Sequence, residues 1–210
     1  MFSTLWVISK LHSYKVIFFT VVCVTVIGAT FSGVDHSTGA KIPSQHFQTS
    51  AVHTESVAII ELPVRLMIPA IAVDATVQYV GIDSNGTGDM DVPSNFTDVG
   101  WYKYGVRPGQ SGSAVIAGHV NGEGIPEAVF HDLSTLQIGD EVFVIQADGS
   151  DEVFRVVKIA EYPYDAPTEE VFESIDGKVR LNLITCSGQW LPVVNMYDTR
   201  TVVFTEQVLR

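Results

Sequence analysis

Residues 179–190, VRLNLITCSGQW, are the stretch that decides the fold. One face of this run carries, at a period of two, the residues Val179, Leu181, Leu183 and Thr185. Such alternation predicts a β-strand, and the following Ser187-Gly188 pair supplies turn residues. We therefore expect the strand to end at Cys186, which places a thiol at the rim of a sheet. Because most free cysteines are small buried hydrophobes, the run alone favours a structural role for this thiol.

Two further β-type runs bring ionisable side chains toward this cysteine. Arg200 opens the run 200–205, which follows a connection of thirteen residues, 187–199. If the two runs pair as antiparallel neighbours, Arg200 lies beside Cys186. The run 113–118 ends in His119 and breaks at an Asn-Gly pair. Three strand ends therefore present a thiol, an imidazole and a guanidinium.

This trio has the composition of a nucleophilic cysteine site. A thiol with its ordinary pKa of about 8.5 needs a neighbouring cation or base to be a thiolate at neutral pH. A forked, permanently charged guanidinium suits an oxyanion or a substrate carbonyl. Each residue taken alone has a plainer role: His119 would be a hydrogen-bonded loop histidine and Arg200 a surface arginine. We expect His131, Arg107 and Arg180 to have such structural or solvent-facing roles.

The chain from residue 57 onward is dominated by β signals. The predicted strands cover residues 58–62, 65–68, 75–80, 113–118, 141–146, 152–159, 178–186 and 200–206. Short strands at close spacing, cut by Gly, Pro and Asn-Gly, indicate a sandwich or a closed barrel. Two short helices are predicted between them, over 129–136 and over 168–175 with Thr168 as N-cap. The acidic segment 81–92 lacks the ligand order of an EF-hand loop, so we interpret it as a solvated turn.

The N-terminal region has the pattern of an uncleaved membrane anchor. Residues 16–34 carry no charge, which is a length that spans a bilayer, and two lysines precede them. We predict a cytoplasmic N-terminus over 1–15, a transmembrane anchor over 16–34, a flexible linker over 35–56 and a catalytic domain over 57–210. The expected location is a cell membrane, with one span and the domain 57–210 on the extracellular side. Cys23 falls within the apolar run and is expected to face the membrane.

Charge excludes one class of partner. The chain has 24 acidic and 12 basic residues, for a formal net charge of −12. Only two of the acidic and three of the basic residues precede residue 57, so the predicted catalytic domain is the acidic part. A domain with this charge is a poor nucleic-acid binder. No residue pattern calls for a cofactor or a metal.

The sequence resembles the sortases, the bacterial surface transpeptidase family. The residues that carry the resemblance are LITC at 183–186, close to the family's Thr-Leu-x-Thr-Cys signature, AGHV at 117–120, and Arg200. Within the family the chain is most similar to class F, through RLMIPAI at 65–71, VGWY at 99–102, RPG at 107–109 and AVIAGHV at 114–120. The resemblance covers about residues 60–206. Asn182 departs from it, because many members carry threonine there.

The resemblance implies a fold, a reaction and a substrate. The fold is a closed sortase-type β-barrel of about eight strands with two or more short helices, in which residues 162–177 frame the substrate groove. Cys186 is the nucleophile that forms a thioester with a Leu-Pro-x-Thr-Gly-like sorting signal, His119 the general acid and base, and Arg200 the group that stabilises the oxyanion or the substrate. Thr185 either contacts the substrate or packs. The partners are secreted proteins with that signal and an amine acceptor, either cell-wall peptide or a pilin lysine.

Two other functions remain open at this point. A hydrolase would share the thioester chemistry but give the acyl group to water. A non-catalytic β-rich surface module would bind a wall polymer or a protein and would not need Cys186. An L,D-transpeptidase fits less well, because its Ser-x-Gly-Cys order is absent: Cys186 precedes the Ser-Gly pair here.

Overall fold

The computed structural model describes residues 60–84, 88–174 and 176–209, and β-strands make up most of them. The strands are β1 (Pro63–Ile68), β2 (Val73–Val80), β3 (Val99–Tyr102), β4 (Gly112–Ala117), β5 (Glu141–Gln146), β6 (Asp151–Pro163), β7 (Val179–Leu191) and β8 (Met196–Gln207). They form a closed barrel in the order β1-β2-β3-β4-β7-β8-β6-β5, and β5 pairs back with β1. The prediction of a mostly-β, closed barrel of about eight strands is confirmed.

Strand direction follows from the connections. Neighbouring strands are antiparallel except for β2 with β3 and β4 with β7, which are parallel. Parallel neighbours need a long crossover connection. The chain therefore leaves β4, forms β5, β6 and a short helix, and only then returns as β7 to pair with β4. This detour places β7 between β4 and β8, so that residues far apart in the sequence become neighbours.

Apolar side chains of alternating strand positions fill the barrel. Leu66, Val144, Leu181, Leu183 and Val203 are among those with 0% exposure. Complete burial of one such side chain contributes roughly 1.5–3 kcal/mol to folding. A second, smaller apolar cluster comprises Val115, Val171, Val202 and Phe204, with Ile184 and Tyr162 packed against it. Val171 of this cluster, and Phe172 packed against it, belong to a short helix.

The strand that carries Cys186 continues beyond the predicted end. β7 runs on to Leu191, and its register with β8 shifts between Ser187 and Trp190. The Ser-Gly pair is therefore a β-bulge rather than a turn, with Gly188 at a φ of 79°. Asp198 of β8 stabilises the bulge, because its Oδ1 accepts hydrogen bonds from Gln189 N and Thr199 Oγ1, both at 2.9 Å.

The predicted thirteen-residue connection is also wrong. β7 and β8 form a long hairpin whose loop comprises only residues 192–195, between Leu191 and Met196. Asn195 has a positive φ of 55°, a conformation that asparagine tolerates better than most residues. Proline and asparagine did mark the turn, but the flanking residues pair once the barrel supplies the neighbouring strand.

Two other strand predictions need correction. Residues 60–62 are not in a strand, and the rest of the predicted strand 58–62 lies outside the described residues. β3 was not predicted as a strand, because it has only four residues and Gly100 weakens its β signal. Backbone hydrogen bonds to β2 and β4 stabilise β3 as a strand in spite of this weak local signal.

The predicted helices are shorter than expected. Over 129–136 the chain forms turns and a 3-10 helix, Leu133–Thr135, whose Leu133 is buried. Over 168–175 it forms one α-helix, α1 (Glu169–Phe172). Thr168 occupies the N-cap position of α1, as predicted, but its side chain makes no capping hydrogen bond. Segments this short are positioned by packing against the barrel rather than by helix propensity.

The predicted membrane anchor 16–34, its flanking segments 1–15 and 35–56, and Cys23 lie outside the described residues. Within the part of the chain that the structure does describe, no helix has the length and apolar character needed to cross a bilayer.

Replacement of Gly188 by alanine tests the bulge. A Cβ at this position would overlap Asp198 Oδ1 and lie 2.7 Å from Thr199 Oγ1. We expect Gly188→Ala to lower the free energy of unfolding by roughly 1–3 kcal/mol more than Gly149→Ala does, measured by chemical denaturation. Gly149 is the matched control, because its φ of 86° is similar and no atom lies within 4 Å of the added methyl group. Equal effects of the two substitutions would contradict the packing of the bulge against Asp198.

Candidate active site

Three neighbouring strands bring together the residues that the sequence singled out. Cys186 of β7 and Arg200 of β8 are direct partners in the antiparallel ladder. His119 lies two residues beyond the end of β4, whose parallel register with β7 pairs Ala117 with Ile184. Gly118 N extends this ladder by donating to Ile184 O at 3.1 Å. The same register, continued by two residues beyond the Ala117–Ile184 pair, places His119 next to Cys186.

Cys186 lies on the outer face of the barrel. Leu181 and Leu183 belong to the cluster inside the barrel, whereas Ile184 packs against the second cluster outside it. Because side chains of a strand alternate between faces, Cys186 shares the face of Ile184. The predicted position at the rim of the sheet is thus replaced by one within a long strand, on its outer surface.

A cavity of about 290 Å³ covers this face, and Cys186, His119 and Arg200 all line it. The segment 162–172, here called the cavity wall, contributes to its lining two tyrosines, two prolines, Ala166, Thr168, Val171 and Phe172. This location matches the expectation that the segment before the cysteine strand frames a groove. Asp83 and Asp89 line the cavity as well, from the turn that was interpreted only as solvated. Nothing in the sequence indicated that this turn lines the same cavity as Cys186.

Polar contacts hold the cavity wall against the barrel. The fully buried Asn182 of β7 donates from Nδ2 to Val171 O at 2.6 Å. Tyr162 donates from its hydroxyl to Glu170 Oε2 at 2.6 Å, and Lys158 forms an ion pair with the same carboxylate. Phe172 packs edge-to-face on Tyr102, with ring centroids 5.6 Å apart. Asn182, the residue that departs from the sortase pattern, therefore anchors α1.

The environment of Cys186 acts on its thiol in two opposite ways. Burial in the cavity raises the pKa of Cys186, because it disfavours the charged thiolate. The guanidinium of Arg200 acts in the opposite direction, and burial is the larger effect. The thiol is thus mainly protonated at neutral pH in the free protein, and the positive charge nearby limits the cost of ionisation.

Arg200 is held in place by backbone carbonyls of its own strand. Its Nη1 donates to Tyr197 O and Thr199 O, each at 3.0 Å. A guanidinium has five N–H groups, and these two bonds employ only those of Nη1. Because Arg200 lines the cavity, its guanidinium brings charged N–H donors to it, which suit a carbonyl or an oxyanion.

His119 is held by a polar contact at one ring nitrogen and by packing of its ring against an aromatic side chain. Its Nε2 lies 2.9 Å from Pro93 O, and its ring packs against Phe96 with centroids 4.9 Å apart. Asn121, two residues further on, donates from Nδ2 to the Tyr197 hydroxyl at 2.7 Å. This bond ties the loop of His119 to the same strand that carries Arg200. The contact with Pro93 had no signal in the sequence.

Thr185 faces inward, opposite to the cysteine that follows it. Its side chain is buried, and its Oγ1 donates to Gly118 O at 2.8 Å. The threonine therefore fastens the residue before His119 to the strand of Cys186. A substrate contact of Thr185 stays a prediction, whereas the bond to Gly118 is a packing role that the sequence left open.

The comparison residues lie away from this cavity. His131 is exposed, lies 4.0 Å from Asp132 and lines a separate depression. Arg107 donates from Nη1 to Ile60 O at 2.5 Å. Arg180 pairs with Asp176 at 2.6 Å and with Glu206 at 3.4 Å. All three have the structural or solvent-facing roles that the sequence analysis expected.

Solved structures with similar folds are sortases. Sortase C from Clostridium perfringens SM101 shares 20% identity, with 71% of each chain covered and a TM-score of 0.51. Sortase C-1 from Actinomyces oris shares 24% identity over 70% of this chain and 76% of that chain, with a TM-score of 0.53. A sortase D5 transpeptidase from Clostridium perfringens shares 18% identity over 70% and 79%, with a TM-score of 0.52. At these identities the matches show a common fold.

The family is identified by comparison of the sequence with family models. No curated protein matches the sequence significantly. The family model of the sortase domain, however, matches residues 66–208, which is more than half of the chain and includes the whole cavity. With the barrel, the cavity and this match in hand, the chain belongs to the sortase family of cysteine transpeptidases.

Proposed function

We propose that this sortase is a class F enzyme that cleaves a Leu-Pro-x-Thr-Gly-like signal of secreted proteins and transfers them to an amine on the cell surface. The observation that carries the proposal is the convergence of Cys186, His119 and Arg200 on one cavity. Residues 65–71, 99–102, 107–109 and 114–120 support class F by their similarity to that group. The charge-free segment 16–34 supports a single-pass anchor in a bacterial membrane with the catalytic domain outside.

The first half-reaction forms a thioester. Cys186 Sγ, as thiolate, attacks the carbonyl carbon before the glycine of the signal, and the C–N bond of that peptide group breaks. His119 gives a proton to the departing glycine nitrogen, which leaves as a neutral amine. The acyl part of the secreted protein remains on the sulfur.

The second half-reaction transfers the acyl group. An amine of a cell-wall peptide or a pilin lysine attacks the thioester carbon, and His119 accepts the proton that the nitrogen loses. The C–S bond breaks, and the thiolate of Cys186 is restored. The cavity wall limits the entry of water, which would otherwise hydrolyse the thioester.

Arg200 stabilises both tetrahedral intermediates. Its guanidinium is held by Tyr197 O and Thr199 O and faces the same cavity as Cys186. Donors oriented before the reaction need no reorganisation when charge develops on the substrate oxygen. The same cation opposes the effect of burial on the pKa of the thiol. Thr185 holds Gly118, the residue before His119, and we propose that it also contacts the bound signal, because it lines the same cavity as Cys186.

Incubation of the full-length chain with a panel of Leu-Pro-x-Thr-Gly peptides tests the nucleophile. We expect mass spectrometry to show an acyl adduct on Cys186, because its sulfur lines the cavity with His119 and Arg200. Cys186→Ala should abolish the adduct, and Cys23→Ala, which removes the other cysteine of the chain, should leave it unchanged. An adduct that persists in Cys186→Ala would refute the assignment, and its absence from the wild type would favour a binding module.

Addition of an amine separates transfer from hydrolysis. When oligoglycine or a lysine-containing peptide is added to the acylated enzyme, we expect an amide product to replace part of the hydrolysed peptide in chromatograms. The physical reason is that an amine is a better nucleophile than water toward a thioester. If only the acid product forms at every amine concentration, the enzyme is a hydrolase.

The pH dependence of Cys186 alkylation tests the role of Arg200. In a Cys23→Ala background, we expect the iodoacetamide rate to rise with a midpoint above that of an ordinary thiol, since burial raises the pKa. Arg200→Gln should move the midpoint further upward, because it removes the cation that lowers this pKa. It should also slow thioester formation by about a hundredfold.

Arg155→Gln is the matched control for this experiment. Arg155 lies on β6 and pairs with Glu141 at 3.1 Å, outside the residues that line the cavity. Arg155→Gln removes one positive charge, as Arg200→Gln does. Because Arg155 does not line the cavity, the midpoint of Cys186 alkylation should stay at the wild-type value. A downward shift in Arg200→Gln, or equal shifts in both variants, would refute a direct effect of Arg200 on the thiol.

A further inference from the structure

The contact of His119 with Pro93 determines which ring nitrogen carries hydrogen. Pro93 is buried, and its carbonyl oxygen lies 2.9 Å from His119 Nε2. A carbonyl oxygen only accepts hydrogen bonds, so Nε2 must be the donor. In the neutral ring the proton is therefore on Nε2, and the lone pair is on Nδ1. Only Nδ1 then remains to exchange a proton within the cavity.

The peptide group that accepts this bond is itself held from its other side. Pro93 C=O and Ser94 N–H belong to one planar unit, in which the two bonds point in opposite directions and their dipoles add. Gln78 of β2 accepts through Oε1 from Ser94 N at 3.0 Å and from Ser94 Oγ at 3.1 Å. A single side chain thus fixes the peptide plane whose carbonyl faces His119. Hydrogen bonds in such a chain polarise and strengthen one another.

A carboxylate ends this chain of contacts. Gln78 donates from Nε2 to Asp98 Oδ2 at 2.9 Å, and Asn95 Nδ2 donates to the same oxygen at 2.8 Å. These bonds lower the pKa of Asp98, which is therefore ionised at neutral pH. The loop carries Phe96 as well, whose ring packs against His119. A continuous chain of hydrogen bonds thus orients His119. It runs from the ionised Asp98 through Gln78 and the Pro93–Ser94 peptide to the imidazole ring.

We infer that Gln78 is a positioning residue of this sortase, which acts through the Pro93–Ser94 peptide to keep hydrogen on His119 Nε2 and leave Nδ1 as the reacting nitrogen. This inference rests on the proposed function for the role of His119. In the first half-reaction Nδ1–H gives its proton to the leaving amine, and the ring becomes neutral with Nε2–H in place. In the second, Nδ1 takes the proton of the attacking amine. Nε2–H stays bound to Pro93 O throughout.

The tautomer of His119 can be read directly by NMR. In the full chain labelled with ¹⁵N-histidine, the His119 signals are identified by their absence from His119→Gln. At a pH where the spectrum shows a neutral ring, we expect the Nε2–H tautomer in the wild type. Gln78→Leu, which keeps the bulk but loses the three hydrogen bonds, should give a mixture of both tautomers. Its thioester formation should slow on the order of ten- to a hundredfold, with the KM for the peptide little changed.

Gln146→Leu is the matched control. Gln146 also lies on a strand and holds a proline carbonyl, since its Nε2 donates to Pro108 O at 3.0 Å, but it does not line the cavity. This substitution can lower the melting temperature, and the tautomer and the acylation rate should stay as in the wild type. Such a result in Gln146→Leu would show that general loss of stability does not produce the effect.

Two outcomes would overturn the inference. One is an Nδ1–H tautomer in the wild type, and the other is a Gln78→Leu variant that is folded and keeps the Nε2–H tautomer. Neither result bears on the proposed function, which would fail instead if the wild-type enzyme formed no thioester. The tautomer is measured without substrate, so the two failures are distinguishable.

Discussion

The register of β7 between its two neighbours is the constraint on which the site depends. β7 pairs in parallel with β4 and antiparallel with β8, so one row across three strands carries His119, Cys186 and Arg200. Because side chains alternate at a period of two, a slip of one residue would turn Cys186 into the barrel. The same slip would expose the buried Leu181 and Leu183 to water. Core packing therefore fixes the position of the proposed nucleophile, Cys186.

Burial gives this site both its protection and its electrostatic cost. The cavity wall shields the sulfur on the outer face of the barrel, and the same shielding raises the pKa of Cys186. Arg200 reduces that cost, since a fixed charge acts more strongly where water is excluded. Exposed pairs such as Lys158 with Glu170 contribute little to the wall individually. The buried bond from Asn182 to Val171 is the stronger anchor, because an unmet polar group there would be costly.

Several side chains around the site are hydrogen-bonded to the backbone, and these bonds orient the site. Thr185 binds Gly118 O, Arg200 is held by Tyr197 O, and Gln78 holds the peptide that faces His119. Each of these bonds fixes a loop or a strand end that would otherwise carry unsatisfied polar groups. The orientation of the proposed catalytic groups therefore depends on backbone groups, which a side-chain substitution does not remove.

The sequence by itself determined the β class, the closed barrel by resemblance, and the pairing of Cys186 with Arg200, because alternation at a period of two and turn residues are local signals. It did not reveal that β7 continues past Ser187-Gly188, since a bulge becomes stable only when Asp198 of a paired strand accepts its hydrogen bonds. The four-residue β3, the shortened helices, the approach of Asp83 and Asp89 to the cavity, and the bond of His119 to Pro93 were likewise decided by tertiary structure alone. These features depend on contacts between residues distant in the chain, for which no local pattern exists.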